Sequence, residues 1–213
     1  MVLITDVRPV RRTKLFEVCS EAGPEFIANQ KFLTENGIQR FESFEESEFD
    51  VLRARAQILD GIRKCVDILS RKDYSRKELL RKLCEKGIPE DAATAAVSYM
   101  TEKGYQDDFR YALRLAELAR RTYGKKRVEQ ILYHHGIDRE TAKEVLDRVF
   151  EESSEDEDRK IDEILTKAAA GKDMKDPSVR NKIFAKLARL GYGPADISAA
   201  MSRYGEEGGD DDL

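Results

Sequence analysis

The apolar residues of this chain follow a helical period from residue 54 onward. The first predicted helix carries one apolar stripe at i, i+4, i+7, i+8 and i+11, formed by Ile58, Ile62, Cys65, Val66 and Leu69. A second helix opens at Ser75, where Glu78 completes a capping box, and closes at Gly87. A third helix begins after Pro89, which the first turn of a helix tolerates. These positions predict a unit of three helices over residues 54–104.

Six positions of this unit recur twice further along the chain. In the first copy they are Leu79, Leu83, Gly87, Ile88, Ala93 and Val97. The second copy lies 49 residues later, with Val128, Leu132, Gly136, Ile137, Ala142 and Leu146. The third lies another 55 residues on, with Ile183, Leu187, Gly191, Tyr192, Ile197 and Met201. The pattern predicts three tandem three-helix repeats, over residues 54–104, 105–152 and 153–205. Because one such unit buries little surface alone, we expect the repeats to stack into an elongated molecule.

Residues 1–53 follow a different pattern. Short apolar runs, interrupted by Gly23-Pro24, predict two or three small strands, and a short helix then stops near Asn36-Gly37. The segment is too small for an independent core, so we expect it to pack on the helices that follow. The predicted fold class is therefore all-α, with a small N-terminal segment of short β-strands in front of the helical repeats.

Two acidic stretches interrupt or follow the repeats. Residues 151–158 separate the second and third repeats and are either a solvated helix extension or a flexible joint. Residues 206–213 combine glycines with acidic side chains and predict a disordered acidic tail. Such a tail either keeps the protein soluble or competes with nucleic acid for a basic surface, and the sequence does not choose between these two roles.

The positive charge of the chain is concentrated in one block. The whole chain has 38 basic and 42 acidic residues, a formal net charge of -4, yet residues 51–150 hold 22 basic against 16 acidic side chains. Two clusters stand out in that block, each near a predicted helix start: Arg71, Lys72, Arg76, Lys77, Arg81 and Lys82 in the first repeat, and Arg120, Arg121, Lys125, Lys126 and Arg127 in the second.

These two clusters are the candidate contacts for a partner or for DNA. Cationic clusters often only solvate a helix face. The second cluster, however, has no compensating acid and straddles Tyr123-Gly124, where we expect exposed backbone N–H groups at the next helix start to favour a phosphate or an acidic partner. Two basic junctions one repeat apart predict a basic stripe. The equivalent residues Tyr74 and Tyr123 are expected to be packing anchors more than bases for stacking.

No catalytic, metal or cofactor site is expected from the remaining residue patterns. The cysteines Cys19, Cys65 and Cys84 form no close pair, which favours a reduced cytosolic compartment and a role as small apolar residues. The neighbouring His134 and His135 point in different directions on a helix and cannot share a metal. Phosphate-loop, dinucleotide and nucleophile-elbow motifs do not occur, and neither does an apolar run of membrane-spanning length or a secretory signal pattern.

Three runs of residues are distinctive when taken together. They are Leu69-Ser70-Arg71-Lys72-Asp73-Tyr74-Ser75-Arg76-Lys77-Glu78-Leu79, Gly104-Tyr105-Gln106-Asp107-Asp108-x-Arg110-Tyr111-Ala112, and Arg120-Arg121-x-Tyr123-Gly124-x-x-Arg127. With these runs the chain resembles the bacterial RecX family of recombination regulators, most strongly over residues 57–149. The resemblance implies tandem homeodomain-like or winged-helix-like units behind a short N-terminal region. It also implies proteins that are not enzymes, that bind the RecA filament on single-stranded DNA, and that typically inhibit ATP hydrolysis, strand exchange and co-protease activity.

The sequence and the resemblance together favour a cytoplasmic, monomeric, non-enzymatic regulator without a cofactor. Its expected partners are the RecA filament and, through the filament, single-stranded DNA. The alternative is a helical module that binds DNA directly without RecA, which is disfavoured because the third helix offers few base-reading side chains over residues 92–100. The direction of regulation, the balance of protein and DNA contacts, the role of the N-terminal segment and the orientation of the repeats stay open.

Overall fold

The computed structural model describes residues 1–151 and 154–207, and the chain divides into two compact units, with the boundary in the sequence between Asp107 and Asp108. The first unit begins with one small sheet and is otherwise helical, and the second is helical throughout its described part. In chain order the elements are β1 (Val2–Pro9), β2 (Leu15–Ser20), β3 (Gly23–Asn29), α1 (Gln30–Glu35), β4 (Ser43–Phe44), α2 (Glu46–Leu69), α3 (Arg76–Glu85), α4 (Glu90–Glu102), α5 (Asp108–Ala119), α6 (Lys125–His134), α7 (Arg139–Glu151), α8 (Ser154–Ala169), α9 (Pro177–Arg189) and α10 (Pro194–Glu207).

The N-terminal strands form one antiparallel sheet in the order β3-β2-β1-β4. Its buried face carries Ile4, Val18 and Phe26, and the first half of α2 covers that face with Phe49 and Leu52. The predicted strands and the helix end at Asn36-Gly37 are confirmed, with Gly37 at φ +63°. The fourth strand has only two residues, which is too short to show an alternating pattern in the sequence.

Helix α2 passes unbroken through residue 53, where the sequence suggested the end of the N-terminal segment. Its first half packs on the sheet, whereas Cys65 in its second half is fully buried among residues of α3 and α4. At Gly61 the absence of a side chain lets α4 approach closely, since a Cβ there would lie 2.9 Å from Ala96 Cβ. One long helix therefore contributes to two neighbouring cores.

Each following group of three helices surrounds its own apolar cluster. Helices α2, α3 and α4 enclose one cluster, α5, α6 and α7 a second, and α8, α9 and α10 a third. The predicted helix starts are confirmed: Ser75 and Glu78 form the capping box, and Asp138 and Asp176 accept hydrogen bonds from backbone N–H groups of the first turn.

The two acidic stretches lie partly within helices. Helix α7 ends at Glu151 and α8 begins at Ser154, while residues 152–153 lie outside the described residues. Helix α10 continues to Glu207, so it includes two residues that were predicted as tail, and residues 208–213 lie outside the described residues. In the part of the chain that the structure describes, no helix is long and apolar enough to span a membrane.

Candidate functional site

An open groove of about 740 Å³ lies in the first unit, beside the junction between α2 and α3. The second half of α2 forms one wall, and α3 and the residues after it form the other. Most of its lining side chains are charged: it consists of Arg63, Lys64, Asp67, Ile68, Arg71, Tyr74, Lys82, Glu85 and Lys86. The groove thus contains Arg71 and Lys82 from the first predicted basic cluster.

The ring of Tyr74 gathers two lysine side chains at this groove. Lys82 Nζ lies 4.6 Å and Lys72 Nζ 5.4 Å from the ring centroid, within the range of a cation–π attraction. Tyr74 is half-buried and packs on the cluster of α2, α3 and α4, which confirms the predicted packing role. Because an aromatic face holds cations without cancelling their charge, the two ammonium groups remain attractive to an anion.

A side chain from the loop after α4 hydrogen-bonds to the backbone at Tyr74. Gln106, which is buried, donates from Nε2 to the Tyr74 carbonyl at 3.4 Å, and its Oε1 accepts from the Thr101 hydroxyl at 2.9 Å. Ser75 follows directly, is fully buried and caps α3. The position of the aromatic ring is therefore fixed by helix α4 and the loop after it, not by the junction alone.

Two of the basic groove residues share a buried carboxylate as their partner. Asp60 is only 9% exposed and contacts Arg63 Nη2 at 2.6 Å and Lys64 Nζ at 2.9 Å. Arg63 also lies 3.4 Å from Asp67. The positive charge around the groove thus comes from the exposed residues Arg71, Lys72 and Lys86 and from the half-buried Lys82.

Lys86 was absent from the predicted site although it lines the groove. It follows Lys82 by four positions at the end of α3, a spacing that places both side chains on one helix face. That spacing was readable from the sequence. The prediction stopped at residue 82 because it followed contiguous charge instead of helical position.

The other basic residues of α3 point elsewhere. Arg76 Nη2 donates to Ser98 Oγ on α4 at 2.9 Å. Arg81 lies 3.5 Å from Glu85 in an exposed ion pair, and Lys77 is exposed. Exposed ion pairs of this kind contribute little stability, so Arg81 is held only loosely. The structure therefore brings together Arg71, Lys72 and Lys82 out of the six predicted residues.

The basic cluster of the second unit also divides into residues with partners in the fold and residues that are exposed. Lys125 Nζ contacts Asp147 Oδ1 at 3.0 Å, and Lys125 and Lys126 line a shallow groove of about 300 Å³ with Lys143 of α7. Arg127 Nη1 donates to Gln130 Oε1 at 2.9 Å. Arg121 is exposed. Lys143 is the residue that the sequence prediction missed, since it lies 16 residues beyond the contiguous cluster.

Arg120 has a structural contact. It is half-buried, and its Nη1 donates to the Val149 carbonyl at 2.6 Å. Val149 is in the last turn of α7, where carbonyl groups lack a partner within the helix. Arg120 thus ties the end of α5 to the end of α7.

The start of α6 is not the open anion site that the sequence predicted. Gly124 N donates to the Leu190 carbonyl at 2.9 Å, and Lys126 N donates to the Gly191 carbonyl at 3.3 Å. A Cβ on Gly124 would lie 2.7 Å from Gly191 O. This expectation was wrong because carbonyl groups at the end of α9 already satisfy these N–H groups and leave no room for a phosphate.

The third helix of the first unit presents an acidic outer face. The exposed side chains of α4 are Glu90, Asp91, Thr94, Tyr99 and Glu102. Three carboxylates on this face would repel the phosphates that line a DNA groove. The geometry therefore disfavours insertion of this helix into the major groove.

The remaining candidate residues take structural positions. His135 Nδ1 lies 3.0 Å from the Tyr111 hydroxyl, at the end of α6. Cys19 and Cys65 are buried, as expected of small apolar residues, whereas Cys84 is exposed, so that expectation was wrong for it. Burial raises the pKa of the Cys65 thiol to about 11. Among the described residues, no group of three or more His, Cys, Asp or Glu side chains could hold a metal ion.

Each comparison with known proteins finds RecX proteins. A family profile described as RecX, first three-helix domain, matches residues 62–100. The regulatory protein RecX of Stenotrophomonas maltophilia is 41% identical over 87 residues, which cover 40% of this chain and 53% of the relative. The regulatory protein RecX of Neisseria meningitidis serogroup B is 29% identical over 165 residues, which cover 76% of this chain and 95% of the relative.

A solved structure shares the fold. The crystal structure of a regulatory protein RecX superimposes with a TM-score of 0.68 at 15% identity, over 95% of this chain and 100% of that chain. The chain spans about half the length of the first curated relatives that it matches. The matched profile and the relatives show that this chain is similar to the RecX family of regulatory proteins, and the solved structure shows that it shares their fold.

Proposed function

We propose that this chain is a cytoplasmic, monomeric, non-enzymatic regulator that binds the RecA filament on single-stranded DNA. Binding inhibits the filament's ATP hydrolysis, strand exchange and co-protease activities. The chain acts through three helical repeats over residues 54–104, 105–152 and 153–205, with the N-terminal segment in front. The proposal rests on the similarity to RecX regulatory proteins and on the two lysines that cluster against Tyr74 at the groove of the first unit.

The chemistry of that groove suits an anionic partner. Arg71, Lys82 and Lys86 line the groove, and Lys72 lies against the ring of Tyr74, which also lines it. A filament of protein on DNA offers phosphates and acidic side chains at regular intervals, and a cluster of cations attracts either of them. The exposed cations Arg121, Lys126 and Arg127 supply a second contact in the next unit.

The other residues of the two predicted basic clusters contribute less directly to the proposed interface. Lys77 and Arg81 are exposed and add to the positive potential. Arg76, Arg120 and Lys125 already contact Ser98, Val149 and Asp147, so they support the fold around the proposed interface. Direct, RecA-independent insertion of a third helix into DNA is the weaker candidate, since the exposed face of α4 is acidic.

The test is DNA-dependent ATP hydrolysis by RecA, titrated with the wild-type protein and with two variants. One variant carries Lys72→Gln and Lys82→Gln. The other carries Arg121→Gln, Lys126→Gln and Arg127→Gln, with Arg120 left in place because it contacts the Val149 carbonyl. We expect the wild type to inhibit hydrolysis and each variant to require about tenfold more protein, an effect of about 1.4 kcal/mol.

A matched control removes cations outside these clusters. Lys31, Arg55 and Lys103 are exposed residues of the first unit, and their replacement by Gln makes a charge change as large as that of the three-residue variant. We expect this control to inhibit like the wild type. A wild-type protein without effect at saturation would contradict the regulatory function, and equal losses in the control would contradict the assignment of the site.

A further inference from the structure

The turn between β1 and β2 carries the densest unpaired positive charge of the N-terminal segment. Arg11, Arg12 and Lys14 all lie in this turn and are exposed, and no acidic residue occurs from residue 7 to residue 16. The neighbouring Arg8 is different, since its Nη2 lies 2.7 Å from Glu17. Within the described chain, none of the three turn residues takes part in a hydrogen bond or an ion pair through its side chain.

Hydrogen bonds fix the shape of this turn. Val10 N donates to the Leu15 carbonyl at 2.8 Å, and Thr13 N donates to the Val10 carbonyl at 3.1 Å. The Thr13 hydroxyl donates to the same Val10 carbonyl at 2.9 Å and accepts from Leu15 N at 3.1 Å. The backbone that presents the three cations is therefore preorganised, and a ligand need not order it on binding.

The backbone conformation at Arg12 favours glycine, not arginine. Its φ is +63°, in the left-handed region where a Cβ is disfavoured, and a turn of this kind usually carries glycine or asparagine. An exposed arginine in a strained position contributes no burial to offset that strain. Strained residues of this kind concentrate at functional sites, so an arginine at this position indicates a role in binding and not in stability.

The surroundings distinguish this turn from the groove of the first unit. The groove cations lie beside carboxylates such as Asp67 and Glu85, whereas the turn has no acid among its neighbours in sequence. The turn joins β1 to β2 at one end of the sheet, directly after the pair Pro9 and Phe16. A short run of cations without acids suits a linear polyanion better than a folded acidic surface.

We propose that the β1–β2 turn binds the phosphodiester backbone of single-stranded DNA through Arg11, Arg12 and Lys14. The contact is independent of base sequence, since guanidinium and ammonium groups here meet phosphates and not base edges. It makes the N-terminal sheet a second nucleic-acid contact of the molecule, separate from the two basic clusters of the helices. The inference does not depend on the action on RecA.

The experiment measures binding of the full chain to labelled single-stranded oligodeoxythymidine, without RecA, by fluorescence anisotropy. The variant carries Arg11→Gln, Arg12→Gly and Lys14→Gln. We expect its affinity to fall about tenfold or more at about 50 mM salt, and the slope of log K against log salt to become shallower by about 2, since each lost phosphate contact removes about 0.7. The control Lys31→Gln, Arg55→Gln, Lys103→Gln should keep the wild-type slope.

Two further variants separate binding from folding. Arg12→Gly alone relieves the left-handed strain, so we expect its melting temperature to be at least that of the wild type while its affinity falls. The pair Arg11→Gln and Lys14→Gln leaves Arg12 and the Thr13 hydrogen bonds untouched and should lose affinity as well. Loss of affinity with an intact fold supports the proposal.

Several results would overturn it. They are a wild-type protein that does not bind the oligonucleotide, turn variants that bind as tightly as the wild type, an unchanged salt slope, or the same loss in the control. If the turn variants bind DNA normally but regulate RecA less well, the turn contacts protein and the DNA assignment is wrong. If they lose DNA binding while the wild type leaves RecA unaffected, only the proposed regulatory function fails.

Discussion

At the scale of single residues, neighbours decide what a basic side chain can do. Arg120, Arg121 and Lys125 lie within six residues of one another and carry the same formal charge. Arg120 satisfies a helix-end carbonyl, Lys125 pairs with Asp147, and Arg121 is exposed. Within the described residues, only Arg121 of these three faces solvent without a side-chain contact in the fold, so a charge count overestimates the usable interface.

Glu157 offers a pH test at this scale. It lies half-buried at the start of α8, and burial first, then the nearby charge of Asp196, raise its pKa above the usual 4.5, against the opposite effect of Lys160, Arg120 and Lys125. The folded state therefore favours the protonated form. This contribution to stability is present below about pH 4.5 and is lost as the pH rises through the folded-state pKa. We expect Glu157→Gln to raise the free energy of unfolding at about pH 7 and to have little effect near pH 4.

Glu163→Gln is the matched control for that measurement. Glu163 lies on the same helix, is 61% exposed and is 3.7 Å from Lys167. Denaturant titrations at both pH values should show a change within about 0.5 kcal/mol for this variant. A Glu157→Gln protein that is no more stable than the wild type at neutral pH would show that the carboxylate is solvated.

At the scale of elements, two helix ends join through their backbones. The end of α9 supplies the Leu190 and Gly191 carbonyls, and the start of α6 supplies the N–H groups of Gly124 and Lys126. The partial charges at these ends are opposite in sign, so the arrangement is electrostatically favourable. The joint links the α5–α7 group to the α8–α10 group inside the second unit.

Gly191→Ala tests this joint. The residue has φ +95°, and a Cβ would lie 2.4 Å from Arg127 N and 2.5 Å from Arg127 Cβ. We expect a loss of at least about 2 kcal/mol in the free energy of unfolding, because the backbone is strained and the helix ends must separate. Denaturant titration followed by circular dichroism measures it.

Gly205→Ala provides the comparison. Gly205 lies in α10 with nothing within 4 Å of its Cβ position and without a positive φ. The substitution should stabilise the protein by about 0.5–1 kcal/mol, since alanine favours a helix interior. Equal effects of the two substitutions would mean that the joint between α9 and α6 contributes nothing to stability.

At the scale of the whole molecule, charge is unevenly distributed along the chain. The net charge is -4, although residues 51–150 carry an excess of basic side chains and the β1–β2 turn adds another basic group. Acidic residues are concentrated toward the C-terminal end, including Asp210, Asp211 and Asp212. Opposite charges on one chain attract each other most strongly at low salt.

Substitution of these three aspartates by asparagine tests competition with DNA. We expect the variant to bind single-stranded DNA about threefold more tightly at about 50 mM salt and equally at about 200 mM, because salt screens the attraction between the acidic residues and the basic surfaces. Asparagine keeps the length of the chain, and helix α10 is untouched because it ends at Glu207. Equal affinity at low salt would leave the acidic residues with a role in solubility only.

The sequence by itself determined the helices and their caps, and it showed the resemblance to a known family. Hydrophobic periods, the Ser75–Glu78 box and the glycines at helix ends are local signals, and a local signal can be read without neighbours. Gly87, Gly136 and Gly191 all have the positive φ that their repeat-equivalent positions predicted. The three runs of residues that resembled the RecX family point to the same proteins that the comparisons find to be similar.

Only the tertiary structure decided which of the basic residues act together. Lys72 and Lys82 come together because both lie against the ring of Tyr74, and Lys143 joins Lys126 because α7 packs on α6. The start of α6 is closed because Leu190 and Gly191, more than 60 residues away in sequence, supply its hydrogen-bond acceptors. These outcomes depend on contacts between distant segments, and the local pattern of charge and polarity contains no information about such contacts.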